Sequence, residues 1–136
     1  VMMMDIDHFK SVNDTHGHAM GDKVLMEVGR LIRESLRKGD HVCRMGGEEF
    51  LVINQGGELD ATLQFAERLR QKIRSVRIRI GDVELGTSVS IGVACREAGM
   101  ADPDNLIAAA DQALYAAKRA GRDRTFCNAG GRLLCR

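Results

Sequence analysis

The 136 residues predict an α/β (α+β) domain, with a central mixed, largely antiparallel β-sheet flanked by helices. Three observations carry that expectation. Amphipathic stretches with apolar residues at helical spacing are interleaved with β-branched runs. Glycine-rich turns separate neighbouring strand candidates. A composition of 44% hydrophobic and 29% charged residues suits one domain able to bury a core.

Val1-Met2-Met3-Met4 reads as a first strand that runs straight into Asp5. A polar loop rich in Asp, Asn, His and Gly is expected after it, then a helix over about 22–38. Val24, Leu25, Val28, Leu31, Ile32 and Leu36 form its apolar face, and Gly39 stops it. His41-Val42-Cys43-Arg44 and Phe50-Leu51-Val52-Ile53 read as the strands of a hairpin with Gly46-Gly47 at its turn, because paired glycines supply positive φ angles.

A second helix over about 59–75 turns Leu63, Ala66, Leu69 and Ile73 inward. Arg77-Ile78-Arg79-Ile80 alternates, Gly81-Asp82 turns, and Val83-Glu84-Leu85 returns as another hairpin. The nearly uncharged run from Thr87 to Ala94 suits a strand buried on both faces. Asp102-Pro103 opens a third helix as cap and first residue, with Leu106, Ala110, Ala113, Leu114 and Ala117 on one face and Gly121 as the stop. Arg124-Thr125-Phe126-Cys127 makes a last short strand, so the domain is expected over 1–127 and a C-terminal tail over 128–136.

A formal net charge of +1 gives no whole-chain signature of nucleic-acid or membrane binding, so any basic site must be local. Cys43, Cys95, Cys127 and Cys135 lack zinc-site spacing and read as free thiols. No stretch has the length of a membrane span or the form of a signal peptide, so a cytoplasmic location is expected, within a larger and even membrane-bound protein. The uncapped start at Val1 reads as a strand entered partway, the mark of a fragment.

The chemistry centres on Met45-Gly46-Gly47-Glu48-Glu49-Phe50 and Asp5-Ile6-Asp7-His8-Phe9-Lys10. Two like charges at a hairpin tip bring a structural turn nothing. If the hairpin carries Glu48 and Glu49 beside Asp5 and Asp7, the acids repel one another unless Mg²⁺ or Mn²⁺ lies between them, and hard oxygen ligands suit those ions. The plainer reading is that the aspartates end a strand in solvent.

The motif Asp5-Ile6-Asp7-His8-Phe9-Lys10, then Asn13-Asp14, Gly17-His18, Gly21-Asp22, Arg44-Met45-Gly46-Gly47-Glu48-Glu49-Phe50, and finally Tyr115-Ala116-Ala117-Lys118 with Gly121-Arg122, resembles the GGDEF family of diguanylate cyclases. Several separated motifs in order are more specific than any one. The resemblance covers residues 1 to about 126 and implies a fold like that of nucleotidyl cyclases and polymerase palms. It implies that two GTP are condensed into cyclic di-GMP with release of two pyrophosphates, across a homodimer of facing domains.

On that resemblance, Asp5, Glu48 and the Ile6 carbonyl hold Mg²⁺ or Mn²⁺, while Gly46 and Gly47 let the nucleotide approach and Glu49 lies near the reacting hydroxyl or the metal. Glu48 stands where the family's usual motif has aspartate, a substitution common among its active members. Asn13 and Asp22 match the guanine-reading positions; Lys10, Lys118 and Arg122 match the phosphate contacts; Phe9 and His18 shape the pocket. The four-residue step from Lys118 to Arg122 lets both face the same way.

Arg37-Lys38-Gly39-Asp40 resembles the family's Arg-x-x-Asp site for inhibitory cyclic di-GMP, with Arg68 as an additional arginine. An upstream sensory or dimerising domain is implied, as is an introductory helix with an Asp-x-Leu-Thr motif before Val1; no nucleic-acid polymer is implied as partner, and no membrane contact by this domain. The alternative is a silent module that binds GTP or cyclic di-GMP and signals through partner domains. A palm domain of another class shares the acid-and-metal logic, but the guanine-reading pair and hairpin signature weigh against it.

Overall fold

At the centre of the sheet lies β1 (Met2–Ile6), antiparallel to β3 (Glu49–Ile53) on one side and to β6 (Val89–Ala94) on the other. The computed structural model describes residues 1–100 and 102–136. Its six-stranded sheet has the order β2-β3-β1-β6-β7-β8, with β2 (His41–Gly46), β7 (Thr125–Ala129) and β8 (Arg132–Cys135). Among the described residues only the β6–β7 pair is parallel, so the sheet is mixed and mostly antiparallel as the sequence predicts. The hairpin of β4 (Arg77–Ile80) and β5 (Val83–Gly86) forms a separate two-stranded sheet.

Side chains alternate across β1 and divide the core into two layers. Met2, Met4 and Ile6 join the larger cluster with Val24, Val28 and Ile32 of α2 (His18–Ser35) and Leu69 and Ile73 of α3 (Leu59–Ser75). Met3 faces the other way, into a smaller cluster with Leu51, Ala110 and Leu114, the last two from α4 (Pro103–Arg119). Asp5, two residues on, shares the α4 face. The small residues of α4 bring it close to the sheet. At Gly92 of β6 an added Cβ would fall 2.1 Å from the Ala110 carbonyl oxygen and 2.2 Å from the Leu114 nitrogen, so helix and strand meet backbone to backbone.

Three expectations need correction. The polar loop after β1 contains the short helix α1 (Phe9–His16), and α2 begins at His18 because Gly17, with φ 85°, breaks the helical path. Phe9 is the one buried residue of α1, too little for a periodic apolar signal. The second difference lies at the end of α2, at Ser35: Leu36 is extended, and the Asp40 carboxylate accepts the Arg37 N–H at 3.0 Å to close a turn. Third, residues 128–136 are no tail. Gly130 and Gly131, both at positive φ, turn the chain back so that β8 pairs with β7. All of β8 is exposed, so its sequence carries neither pattern of a half-buried strand nor that of a buried one.

Candidate active site

β1 delivers Asp5 to the edge of the sheet between two neighbours, opposite Glu49 of β3 and Ser90 of β6. The Ile6 N–H donates to the Glu48 carbonyl at 3.2 Å, which fastens the hairpin tip to the end of β1. The tip itself differs slightly from expectation. Gly46 pairs with Glu49 across a bulge at Met45, so Gly47 and Glu48 are the two turn residues. Gly47 sits at φ 49° and an added Cβ would meet nothing within 4 Å, which leaves that side of the tip open. Arg44 was not singled out from sequence, yet its Nε donates to the Gly47 carbonyl at 2.8 Å and braces the turn.

Asp5 is 7% exposed and forms an ion pair with Lys118 of α4 at 2.8 Å. Burial pushes its carboxyl above the ordinary value; Lys118 opposes that shift, while the charges of Glu48 and Glu49 reinforce it. The hairpin therefore does carry both glutamates within electrostatic reach of Asp5. Among the described residues, no three His, Cys, Asp or Glu side chains are drawn tightly enough to enclose a cation. The chemistry of the donors fits one nonetheless: a buried carboxylate, raised by two flanking acids, gains from a hard divalent ion what one lysine gives only in part.

Asp7 departs from the expected cluster of acids. Its carboxylate points into the protein and accepts from Ser88 Oγ and Ser90 Oγ at 2.7 Å each, and from the Asp123 N–H at 3.0 Å. A carboxylate so supplied with donors has no need of a cation.

The guanine candidates lie where α1 meets α2. A Cβ on Gly21 would fall 1.8 Å from Asn13 Oδ1 and 3.3 Å from the Phe9 ring, so glycine there makes room for both side chains. Asp22 and His18 are exposed along the first turns of α2. Lys10 is nearly free in solvent, 4.0 Å from Asp14. Lys118 and Arg122 do not share a helical face as their spacing suggested, because α4 ends at Arg119 and Arg122 adopts φ 63° in the following turn.

Arg37 and Arg68 line one depression of about 330 Å³ between α2 and α3, together with Lys72. Asp40 is engaged locally, accepting from the backbone N–H groups of Arg37 and, at 3.3 Å, Gln55. No helix among the described residues is long and apolar enough to cross a membrane.

Residues 1–124 match the family model described as diguanylate cyclase, GGDEF domain. Diguanylate cyclase A of Treponema denticola is 38% identical over 124 residues, 91% of this chain and 33% of that protein. DgcP, a diguanylate cyclase of Pseudomonas aeruginosa, is 43% identical over 90% of this chain and 18% of its own length. The chain thus spans a third or less of these relatives. Among solved structures, the GGDEF domain of DgcB from Caulobacter crescentus, in complex with c-di-GMP, superposes with a TM-score of 0.89 at 33% identity, covering 93% of this chain and 75% of that one. The active GGEEF domain of a Vibrio cholerae diguanylate cyclase gives 0.85 at 32% identity, covering 93% and 78%. With its motifs, its fold and nearly its whole length in agreement, the chain belongs to the GGDEF domain family.

Proposed function

We propose that this domain is one half of a diguanylate cyclase, joining two GTP into cyclic di-GMP with release of two pyrophosphates. The observation that carries the proposal is the convergence of Asp5, Glu48 and Glu49 at the end of β1, against Lys118 and beside an open glycine turn. Relatives named diguanylate cyclases share most of this length, and the Vibrio cholerae domain called active carries the same GGEEF signature.

In this reading Asp5, Glu48 and the Ile6 carbonyl hold Mg²⁺ or Mn²⁺, which supplies charge neutralisation for the phosphates of the nucleotide. Lys118 balances the Asp5 charge in the free protein. In this reading it meets the β- and γ-phosphates together with Lys10 and Arg122. Asn13 and Asp22 read guanine, the carboxylate accepting from donors that adenine does not present, with Phe9 and His18 shaping the pocket. Gly46 and Gly47 give the nucleotide close access. Glu49 lies close to the attacking 3′-hydroxyl or to the metal, where it favours deprotonation of that hydroxyl.

One domain holds one GTP, so turnover needs a second domain facing it, which brings each hydroxyl in line with the opposite α-phosphate. The relatives' greater length leaves room for a sensory or dimerising segment that presents the two halves. The domain works on the cytoplasmic side, where GTP is found.

The test is conversion of GTP with Mg²⁺ by the dimeric protein, read by chromatography of the product. Cyclic di-GMP is expected, and Glu48→Ala is expected to lower its rate at least about a hundredfold. Equal rates from the variant would remove the metal assignment; binding of GTP without turnover by the wild-type dimer would favour the silent module.

The depression shared by Arg37 and Arg68 suits bidentate contacts to guanine edges and phosphates of inhibitory cyclic di-GMP. Arg37→Ala is expected to weaken product inhibition about tenfold to a hundredfold while sparing the initial rate, since loss of an arginine fork removes about 1.5–3 kcal/mol. An unchanged inhibition curve would overturn this site.

A further inference from the structure

We infer that Asp7 is a positioning residue for the substrate phosphates, acting through the turn that carries Arg122 and Asp123; the inference rests on the GTP reading above. Asp7 is 4% exposed and lies outside the acid cluster. Its Oδ2 accepts from both Ser88 Oγ and the Asp123 N–H, and its Oδ1 from the fully buried Ser90. The Asp7–Asp123 bond spans 116 residues of sequence and ties the entry of α1 to the exit of α4. Those are the segments that bear Phe9 and Lys10 on one side and Lys118 and Arg122 on the other.

Backbone strain singles out the same place. Among the described residues, the non-glycine positions at positive φ are His8 (56°), Arg122 (63°) and Asp123 (44°). His8 follows Asp7 directly, Asp123 donates to it, and Arg122 precedes Asp123. Side-chain-bearing residues persist in such conformations only where their surroundings over-determine them. Here the over-determination is visible: the Asp123 carboxylate takes Arg70 at 2.5 Å and Arg74 at 3.1 Å, Arg70 Nη1 also donates to the Asp123 carbonyl at 3.1 Å, and the Arg122 N–H bonds the Ala117 carbonyl at 3.0 Å. Arginines hold one side of the turn and Asp7 the other. The strain is concentrated where two phosphate-binding segments are brought into register, and Asp7 touches no substrate itself.

The test compares wild type with Asp7→Asn, which keeps the volume but places an amide against donors. Two readouts are used: hydrogen exchange of residues 121–124 in the nucleotide-free protein, and competitive binding of GTP and GMP. Exchange in that segment is expected to speed up at least about tenfold, and GTP to bind roughly tenfold more weakly with GMP within about twofold, because GMP lacks the β- and γ-phosphates. Unchanged exchange, or equal weakening of GTP and GMP, would overturn the inference alone. Wild-type protein that binds neither nucleotide would overturn the GTP reading and this inference with it. Should Asp7→Asn not fold, Ser88→Ala removes a single bond to the same oxygen and is judged by the same outcomes.

Discussion

Asp5 and Asp7 leave the sheet two residues apart, and both are more than nine-tenths buried, at 7% and 4% exposure. Their surroundings are opposite. Asp7 is supplied with three donors, two hydroxyls and a backbone N–H. Asp5 has one lysine, and its carboxyl is pushed up first by burial and further by the charges of two flanking glutamates. Burial of a carboxylate therefore does not by itself mark a reactive site. A saturated acid is architecture, whereas one short of partners and crowded by like charge is poised to accept a cation.

The largest effect that can break this contrast is on turnover. Asp5→Asn is expected to reduce cyclic di-GMP formation at least about a hundredfold, with the thermal midpoint moving by only a few degrees. The same substitution at Asp7 is expected to lower that midpoint by roughly 5–10 °C, since it leaves buried donors facing an amide. Calorimetry and product assays on the two variants check both halves. A larger loss of stability from Asp5→Asn than from Asp7→Asn would invert the contrast.

The smallest effect lies in the pH dependence of stability. Because the folded protein raises the Asp5 carboxyl above its ordinary 3.8, the native state binds more protons than the unfolded chain as pH climbs past that value, and stability falls through the window. Glu67 has the reverse sign. Its hydrogen bond to Arg70 lowers the carboxyl below 4.5, so its contribution is present above that pH and lost as the solution is acidified beneath it. Denaturant titrations from acid to neutral pH should show Asp5→Asn abolishing the fall and Glu67→Gln abolishing the acid loss. A variant with the wild-type slope in its own window would refute the corresponding assignment.

Much of this was legible in the amino-acid order because the informative segments are amphipathic or fully buried. α2, α3, α4 and β6 announce themselves by apolar spacing, and the glycine pair marks the hairpin that carries Glu48 and Glu49. α1 and β8 were missed for the same reason, since neither buries enough of one face to leave a period. The resemblance separates Asp5 from Asp7, but the physical basis of that division is hidden in the sequence, because Lys118 and Asp123 reach them from more than a hundred residues away. Neither contact leaves a trace in local spacing. The exposed turn at Arg122 was misjudged because its positive φ breaks the helical step on which the spacing argument relied.

Gly92 has a further bearing on how this site tolerates change. Since α4 approaches main-chain atoms there, Gly92 and the small residues of α4 together set the height of the helix above the sheet. Lys118 follows Leu114 by one helical turn, and β6 lies beside β1 with Gly92 opposite Met3, so the reach from lysine to Asp5 is gauged from peptide to peptide. The larger core, with Val24, Val28, Leu69 and Ile73, lies on the opposite face of the sheet from that contact. A side chain added at Gly92 would therefore lift α4 and lengthen the reach from Lys118 to Asp5.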